Sequence, residues 1–273
     1  MLLSTAFFPP VSWFAAAAKD WGRVVVTNPS SFCDVYLEAH ENFQKQSYRN
    51  RCIIASANGP EAISVPVVHD GDIFHTPITE IRVDYKDQWV KKAWRAIESA
   101  YSTSAYFEYY KDDIYAILSS GIPTLWDLNL RIIEFFIQKI RLGIRIVPTT
   151  TYASERHVPL RGVAARGCSA TKGVNTGGTI RSPKPLNFPT HFERDEHEVR
   201  TGSRALPAEV IADDYRNVIH PKRQNTILKD LDMEKPYFQV FAGKYGFQSD
   251  LSVMDLLFNE GPQSLLYLVP SLD

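Results

Sequence analysis

The N-terminal 27 residues constrain the fold most, because two strand-like stretches flank a helical one. Residues 2–5, Leu-Leu-Ser-Thr, are typical of a short buried strand, and the prolines at Pro9 and Pro10 favour a helix over residues 11–19. Residues 23–27, Arg-Val-Val-Val-Thr, predict a second strand. A strand, a helix and a strand in succession favour two parallel strands, because the helix carries the chain back to the starting end of the sheet.

A parallel sheet also predicts where a ligand binds. Ligands of such sheets lie beyond the carboxyl ends of the strands. At the end of the first predicted strand these positions are Ser4, Thr5, Pro9 and Pro10, which we therefore predict to contact substrate.

A second candidate for the binding site is the polar segment, defined here as residues 41–51, ENFQKQSYRNR. It alternates at neither the helical nor the strand period, so we expect neither a helix nor a strand to bury its side chains. Its basic residues are suited to phosphate and its amides to sugar hydroxyls. The residues that we predict to bind substrate here are Gln44, Lys45, Tyr48, Arg49, Asn50 and Arg51. The alternative is a solvated loop, since runs of charge are usually exposed.

The rest of the chain mixes strand and helix patterns. Further strands are predicted at residues 52–55, 63–68, 78–83 and 238–241, with a turn at Asn58-Gly59-Pro60 between the first two. Helices are predicted at residues 87–101, 106–120 and 125–142, and again after Ser252. Thr124 and Ser252 have the side chains and positions of helix N-caps.

These patterns predict an α/β (or α+β) fold. We expect a mixed sheet near the N-terminus, begun by the parallel strand-helix-strand unit, with a helical second half packed against it. Residues 1–153 form the expected core region, and residues 207–273 complete the same domain. Residues 154–206 are rich in Gly and Pro and carry more Lys and Arg than Asp and Glu, so they are expected to be a flexible or disordered insertion.

Composition narrows the class of partner and the compartment. A net charge of −1 over 273 residues excludes the broad positive field of a general nucleic-acid binder, so no DNA partner is expected. The cysteines are three and widely spaced, which argues against a disulfide framework and fits the cytoplasm. Residues 1–18 are uncharged, but they lack the positive start of a signal peptide and Pro9-Pro10 interrupts them. No integral membrane segment is expected.

Several motifs lack the residues that their chemistry requires. Gly177-Gly178-Thr179 lacks the lysine of a phosphate-binding loop. The histidines in residues 191–197 do not have the spacing of a zinc helix, and no metal site is expected. His40 and His75 flank the polar segment and are candidate bases, although a lone histidine is more often structural.

Five motifs in order resemble the WbqC-like protein family. They are LSTAFFPP at residues 3–10, the polar segment, ISVPV at 63–67, WRAIESAY at 94–101 and LLFNEGP at 256–262. The resemblance covers residues 2–152 and 213–268 and leaves residues 154–206 without a counterpart. It implies a role in bacterial surface polysaccharide (O-antigen or capsule) synthesis, by attachment of glycine to an amino sugar. Ala93 stands where the family pattern has His, which counts against a base on that helix.

The residues and the resemblance leave two hypotheses. The first is a transferase that moves a glycyl or other aminoacyl group to a nucleotide-linked or lipid-linked amino sugar, with Glu41 or His75 as the base. The second is a non-catalytic protein of the same pathway that binds a nucleotide or a sugar nucleotide. The cofactor, the acyl donor, the acceptor sugar and the oligomeric state stay open at this point.

Overall fold

The computed structural model describes residues 1–25, 32–69, 71–153, 213–223 and 225–269, which contain both strands and helices. The strands are β1 (Leu2–Ser4), β2 (Cys33–Glu38), β3 (Arg51–Ser56), β4 (Gly59–Ser64) and β5 (Ile144–Pro148). The helices are α1 (Val11–Val25), α2 (Trp89–Tyr101), α3 (Phe107–Ser119), α4 (Leu125–Ile140), α5 (Ile227–Asp230), α6 (Ala242–Tyr245) and α7 (Val253–Glu260). Short 3₁₀ helices cover Ile78–Glu80 and Gly261–Tyr267.

The parallel sheet has the order β1-β2-β5, with β2 in the centre. Leu2 pairs with Tyr36, and Cys33 pairs with Ile144. A short stretch around Asp214 runs parallel to β1 on its other side, because the amide of Leu2 donates to the carbonyl of Asp213 at 2.8 Å. The α/β class and the parallel start predicted from the sequence are confirmed. The strand β5 was not predicted.

The second strand lies later in the sequence than predicted. Residues 23–25 belong to α1, and residues 26–27 lie outside the described part of the chain. The three valines suggested a strand, but α1 is buried at every position from Val11 to Lys19 and continues beyond the predicted end. Residues 11–18 are apolar apart from Ser12 and are embedded in the core, and the helix that they begin runs on as far as Val25 in place of the predicted strand. The strand that pairs with β1 is therefore β2.

An antiparallel pair, β3 and β4, comes directly after the polar segment. Arg51 pairs with Ser64 and Ser56 pairs with Gly59. The predicted turn is shifted, because Gly59 and Pro60 belong to β4. Proline is tolerated there since β4 has one neighbouring strand, which leaves its other edge without ladder bonds. The predicted strand at residues 63–68 ends after Ser64.

Helices α2, α3, α4 and α7 agree with the predictions to within about two residues at each end. The amide of Asp127 donates to Thr124 Oγ1 at 3.1 Å, and the amide of Met254 donates to Ser252 Oγ at 3.3 Å. Both predicted N-caps are confirmed. At the other end of α4, Arg141 adopts the left-handed conformation, so the helix ends before the predicted Leu142.

Two further strand predictions are wrong. Residues 78–80 form a 3₁₀ turn and are followed by single bridges at Arg82 and Val83. Residues 238–241 form no strand. Here the amide of Phe238 donates to Glu260 and the Gln239 side chain donates to Asp255, so side chains of α7 hold the segment instead of a neighbouring strand.

One hydrophobic core joins the parallel sheet to the helices. It includes Leu3 from the first strand, Phe14 of α1, Phe136 of α4 and Phe258 of α7. The rings of Phe14 and Phe136 meet edge to face, with their centroids 6.1 Å apart. The expected helical second half packs against the sheet in this way. Within the described ranges, no helix has the length and apolar character needed to cross a membrane.

Candidate functional site

A cleft of about 700 Å³ opens at the carboxyl edge of the parallel sheet. The strands β1, β2 and β5 end at this edge with Ser4, Glu38 and Pro148, and the chain beyond these ends builds the walls. The lining residues are His40, Glu41, Asn42, Phe43, Gln44, Lys45, Phe74, Tyr152, Arg216 and Asn217. The cleft therefore lies where the topology of a parallel sheet predicts a ligand site.

Glu41 and Arg49 form a buried ion pair beneath this cleft. Arg49 Nε donates to Glu41 Oε1 at 2.9 Å, and Arg49 Nη2 donates to Glu41 Oε2. Ser4 Oγ donates to Glu41 Oε2 at 2.9 Å, and Arg49 Nη1 donates to Gln44 Oε1 at 3.2 Å. Burial raises the pKa of the Glu41 carboxyl, while Arg49 and Ser4 act in the opposite direction. The pair anchors the polar segment to the end of β1.

Glu38 and Arg216 form a second buried ion pair, which closes the cleft on its other side. Glu38 Oε2 accepts from Arg216 Nη1 and from the amide of Ala153, each at 3.0 Å. Glu38 Oε1 accepts from Thr149 Oγ1 at 2.7 Å and from the amide of His40 at 3.0 Å. His40 follows the end of β2, Thr149 and Ala153 follow the end of β5, and Arg216 follows the stretch alongside β1. The pair fixes three walls of the cleft to one another.

Apart from the ion-paired residues and the buried Phe43, the lining side chains are exposed. Phe74 and Tyr152 are 50% and 57% exposed. Lys45 Nζ lies 4.9 Å from the centre of the Phe74 ring, and the Arg216 guanidinium carbon lies 5.0 Å from that of Tyr152. Exposed rings of this kind offer flat faces to a sugar or a base. His40, Asn42, Gln44 and Asn217 add exposed hydrogen-bonding groups.

The polar segment agrees with this arrangement in part. Its Gln44 and Lys45 line the cleft, and Ser4, Glu41 and Arg49 form the network below. The expectation that its side chains resist burial is wrong for Glu41 and Arg49, which are 5% and 3% exposed, because each neutralises the other. Both residues belong to the polar segment, but their buried network also includes Ser4 of β1, which only folding brings close.

The remaining predicted binding residues make contacts outside the cleft lining. Tyr48 is buried, and burial raises the pKa of its hydroxyl. Asn50 Nδ2 donates to the carbonyl of Val65, and Arg51 Nε donates to Ser64 Oγ on β4. Thr5, Pro9 and Pro10 are buried; the carbonyl of Pro9 accepts from the amide of Val253, and Pro10 bridges to Ser252 at the start of α7.

The two predicted bases are placed differently. Glu41 lies at the cleft with both carboxylate oxygens engaged. His75 is not among the lining residues; its side chain is 79% exposed and its Nδ1 lies 2.6 Å from Asp72 Oδ2. His40, the other histidine beside the polar segment, lines the cleft and is exposed.

Several cleft residues were not selected from the sequence. Glu38 lies at the end of β2, so a correct position for that strand would have drawn attention to it through the carboxyl-end rule. Arg216 is 178 positions from Glu38, and Tyr152 is likewise remote from the polar segment. No local pattern indicates either of them. Among the described residues, no group of three or more His, Cys, Asp or Glu side chains is arranged to hold a metal ion, and residues 191–197 lie outside that set.

Comparisons with known proteins agree with the motifs in the sequence. The chain matches the WbqC-like protein family over residues 32–195, a span that reaches into the segment 154–206. An uncharacterized protein of Mycobacterium tuberculosis, Rv1507c, is 28% identical over 227 residues, which are 83% of this chain and 83% of the relative. No solved structure matches the chain. Because the family match covers more than half of its residues, the protein belongs to the WbqC-like protein family.

Proposed function

We propose that the protein transfers an aminoacyl group, most simply glycyl, to the amine of a nucleotide-linked or lipid-linked sugar during the assembly of a bacterial surface polysaccharide. The observation that carries the proposal is the cleft at the carboxyl edge of the parallel sheet. Its volume of about 700 Å³ falls in the range of small-molecule sites. Its lining combines aromatic rings, amides and a lysine, which suits a hydroxyl-rich anionic ligand better than an apolar one.

The reaction requires one proton acceptor and an activated donor. The sugar amine attacks the carbonyl carbon of an aminoacyl ester, the new C–N bond forms, and the C–O bond to the leaving group breaks. A base takes the proton of the amine, and the leaving oxygen is protonated in its turn. The proposal assigns the base to His40, because it is an imidazole exposed in the cleft wall with its backbone held by Glu38.

Glu41 receives a positioning role in this proposal. Both of its oxygens accept hydrogen bonds from Arg49 or Ser4 and the carboxyl is buried, so it is held in one place and is not presented to a substrate amine. By holding Arg49 it also keeps Gln44 at the cleft wall, through the contact from Arg49 Nη1 to Gln44 Oε1. His75 lies outside the cleft lining and contacts Asp72, so the proposal gives it no role as the base.

A second candidate function is non-catalytic binding of a sugar nucleotide in the same pathway. It is favoured by the state of the two buried carboxylates: Glu38 and Glu41 each use both oxygens for structure. A site whose acids are fully committed can recognise a ligand without transforming it. Binding and transfer must therefore be measured separately.

The test combines a transfer assay with calorimetry. Purified protein is incubated with UDP-glucosamine and other amine-bearing nucleotide sugars, together with glycine and ATP or with glycyl-tRNA, and the products are examined by mass spectrometry. The proposal predicts sugars heavier by one glycyl residue. Binding without transfer under any combination supports the non-catalytic function, and absence of binding contradicts both functions.

The assignment of the base has its own variants. His40→Gln should lower the transfer rate by about 10²–10⁴-fold with little effect on sugar-nucleotide affinity, because general-base catalysis contributes that much. His75→Gln is the matched control and should retain the rate. Loss of the transfer rate in His75→Gln, with the rate retained in His40→Gln, would assign the base to His75 instead.

A further inference from the structure

One exposed cation lines the cleft, and two more contact residues at or next to its lining. Lys45 lies in the polar segment, and Lys222 and Arg223 lie at residues 217–223, the stretch that comes after Arg216. Lys222 Nζ donates to Gln46 Oε1, which joins the two segments beside Lys45. Arg223 Nη1 donates to the carbonyl of Asn217, a lining residue of the cleft, at 3.1 Å.

These three cations differ from Arg49 and Arg216, the other basic residues of the site, because those two are held in ion pairs. Arg49 is paired with Glu41, and Arg216 is paired with both Glu38 and Asp214. Within the described ranges, Lys45, Lys222 and Arg223 form no ion pair with a carboxylate: their polar contacts are a ring face, an amide oxygen and a backbone carbonyl. Among the described residues, these three positive charges therefore have no carboxylate partner.

His220 lies among the same charges. Its Nδ1 accepts from the amide of Lys222 at 3.1 Å. Burial lowers the pKa of the His220 imidazole, and the nearby Arg223, Arg49 and Lys222 cations lower it further. The cations around His220 make its surroundings positive, and a bound anion would be stabilised there.

We infer that Lys45, Lys222 and Arg223 form an anion subsite that binds the diphosphate joining the sugar to its carrier. The inference rests on the proposed function and names the carrier end of the substrate. A diphosphate bridge carries two negative charges and many acceptor oxygens, so it matches a small cluster of cations on two segments. A nucleic acid would require a broader basic surface than a chain of net charge −1 provides.

The subsite recognises a group that two kinds of carrier share. A nucleotide-linked sugar and a polyprenyl-linked sugar both contain the diphosphate, but one continues into a nucleoside and the other into a hydrocarbon chain. Calorimetry with UDP-glucosamine and with farnesyl diphosphate in detergent separates them, and inorganic diphosphate reports on the subsite alone. Tighter binding of one carrier than of inorganic diphosphate identifies the carrier.

The variants remove charge without removing bulk. Lys222→Gln/Arg223→Gln and Lys45→Gln are compared with Lys91→Gln/Lys92→Gln, which changes two exposed charges on α2, a helix that contributes no lining residue. We expect affinity for inorganic diphosphate to fall about tenfold for each cation removed, which corresponds to about 1.4 kcal/mol per charge-assisted contact. Added salt should also weaken the binding of diphosphate to the unchanged protein, because it screens the charges. The α2 variant should bind as the unchanged protein does.

The outcomes separate this inference from the proposed function. Equal diphosphate affinity in all variants, or no binding of any of the three probes, overturns the subsite. Unchanged KM for the sugar nucleotide in an active Lys222→Gln/Arg223→Gln variant overturns it as well, while transfer itself stands. Charge-dependent diphosphate binding by a protein that transfers nothing supports the subsite and removes the proposed function. Thermal unfolding of each variant shows whether lost binding is lost folding.

Discussion

At the scale of single residues, the pairing of Glu41 with Arg49 decides how the polar segment is built. Isolated from its fold, this segment has the composition of a solvated loop. In the structure the side chains of Glu41 and Arg49 are buried, and Ser4 from β1 forms a hydrogen bond with each of them. The sequence shows which residues are chemically suited to the site, but burial and partnership depend on Ser4, which is 37 positions away from Glu41.

Removal of one partner of the Glu41–Arg49 ion pair should destabilise the folded protein. Arg49→Met leaves the Glu41 carboxylate buried without a cation, so we expect the free energy of unfolding to fall by about 3–5 kcal/mol. Arg49→Met/Glu41→Leu should recover part of that loss. The control is Arg145→Met, which breaks the exposed pair with Asp34 and should cost about 1 kcal/mol or less. Urea unfolding at neutral pH measures all three, and equal losses for Arg49 and Arg145 would contradict the buried pair.

Asp255 leads to a different prediction, because none of the residues that the structure describes places a cation beside its carboxylate. It is fully buried on α7 and accepts from Tyr237 Oη at 2.7 Å and from Gln239 Nε2 at 2.9 Å. Burial raises the pKa of its carboxyl to about 6 from an ordinary value of 3.8, although these hydrogen bonds oppose the rise. The folded state therefore holds this proton more tightly than the unfolded chain. Its contribution to stability is greatest below pH 4 and declines as the pH rises to 6.

Asp255→Asn removes that dependence. The quantity compared is the free energy of unfolding of Asp255→Asn minus that of the unchanged protein. We expect this difference to rise by about 3 kcal/mol from pH 4 to pH 8, with the rise occurring between pH 4 and pH 6. Urea unfolding at a series of pH values gives the difference between the two proteins, in which the titration of all other groups cancels. Parallel profiles would show that Asp255 does not titrate in this range.

At the scale of elements, prediction succeeded where the signal is local. The caps at Thr124 and Ser252 are confirmed because a cap depends on a side chain and the amides two or three residues later. Prediction failed at residues 23–25, 78–83 and 238–241. Residues 23–25 continue α1 instead of starting a strand, and residues 238–241 bond to α7 instead of to a strand.

The turn between α4 and β5 gives a test of element packing. A methyl group at Gly143 would overlap the indole of Trp21 on α1, so Gly143→Ala should force one of the two elements to shift. We expect a loss of about 1–3 kcal/mol in the free energy of unfolding. Gly243→Ala on α6 is the matched control, because nothing lies within 4 Å of the added methyl there and alanine favours a helix. Equal stability of the two variants would mean that α1 does not pack on this turn.

At the scale of the whole molecule, the cleft is assembled from segments that are far apart in sequence. Glu38 bonds to Ala153 and to Arg216, so the ends of β2, β5 and the stretch beside β1 meet at one group. The parallel start of the chain predicted the edge at which a ligand would bind. It did not predict Arg216, Tyr152 or Phe74, because these positions enter the site only through the closed topology of the sheet and its loops.

The proposed role of this cleft is tested by a crystal structure of the protein soaked with UDP-glucosamine. We predict electron density for the sugar in the cleft, against Tyr152 or Phe74, with its diphosphate beside Lys45 and Lys222 and its amine within reach of His40. Density for the nucleotide sugar elsewhere on the molecule, or an empty cleft at a concentration that saturates binding in solution, would contradict the assignment of this cleft as the substrate site.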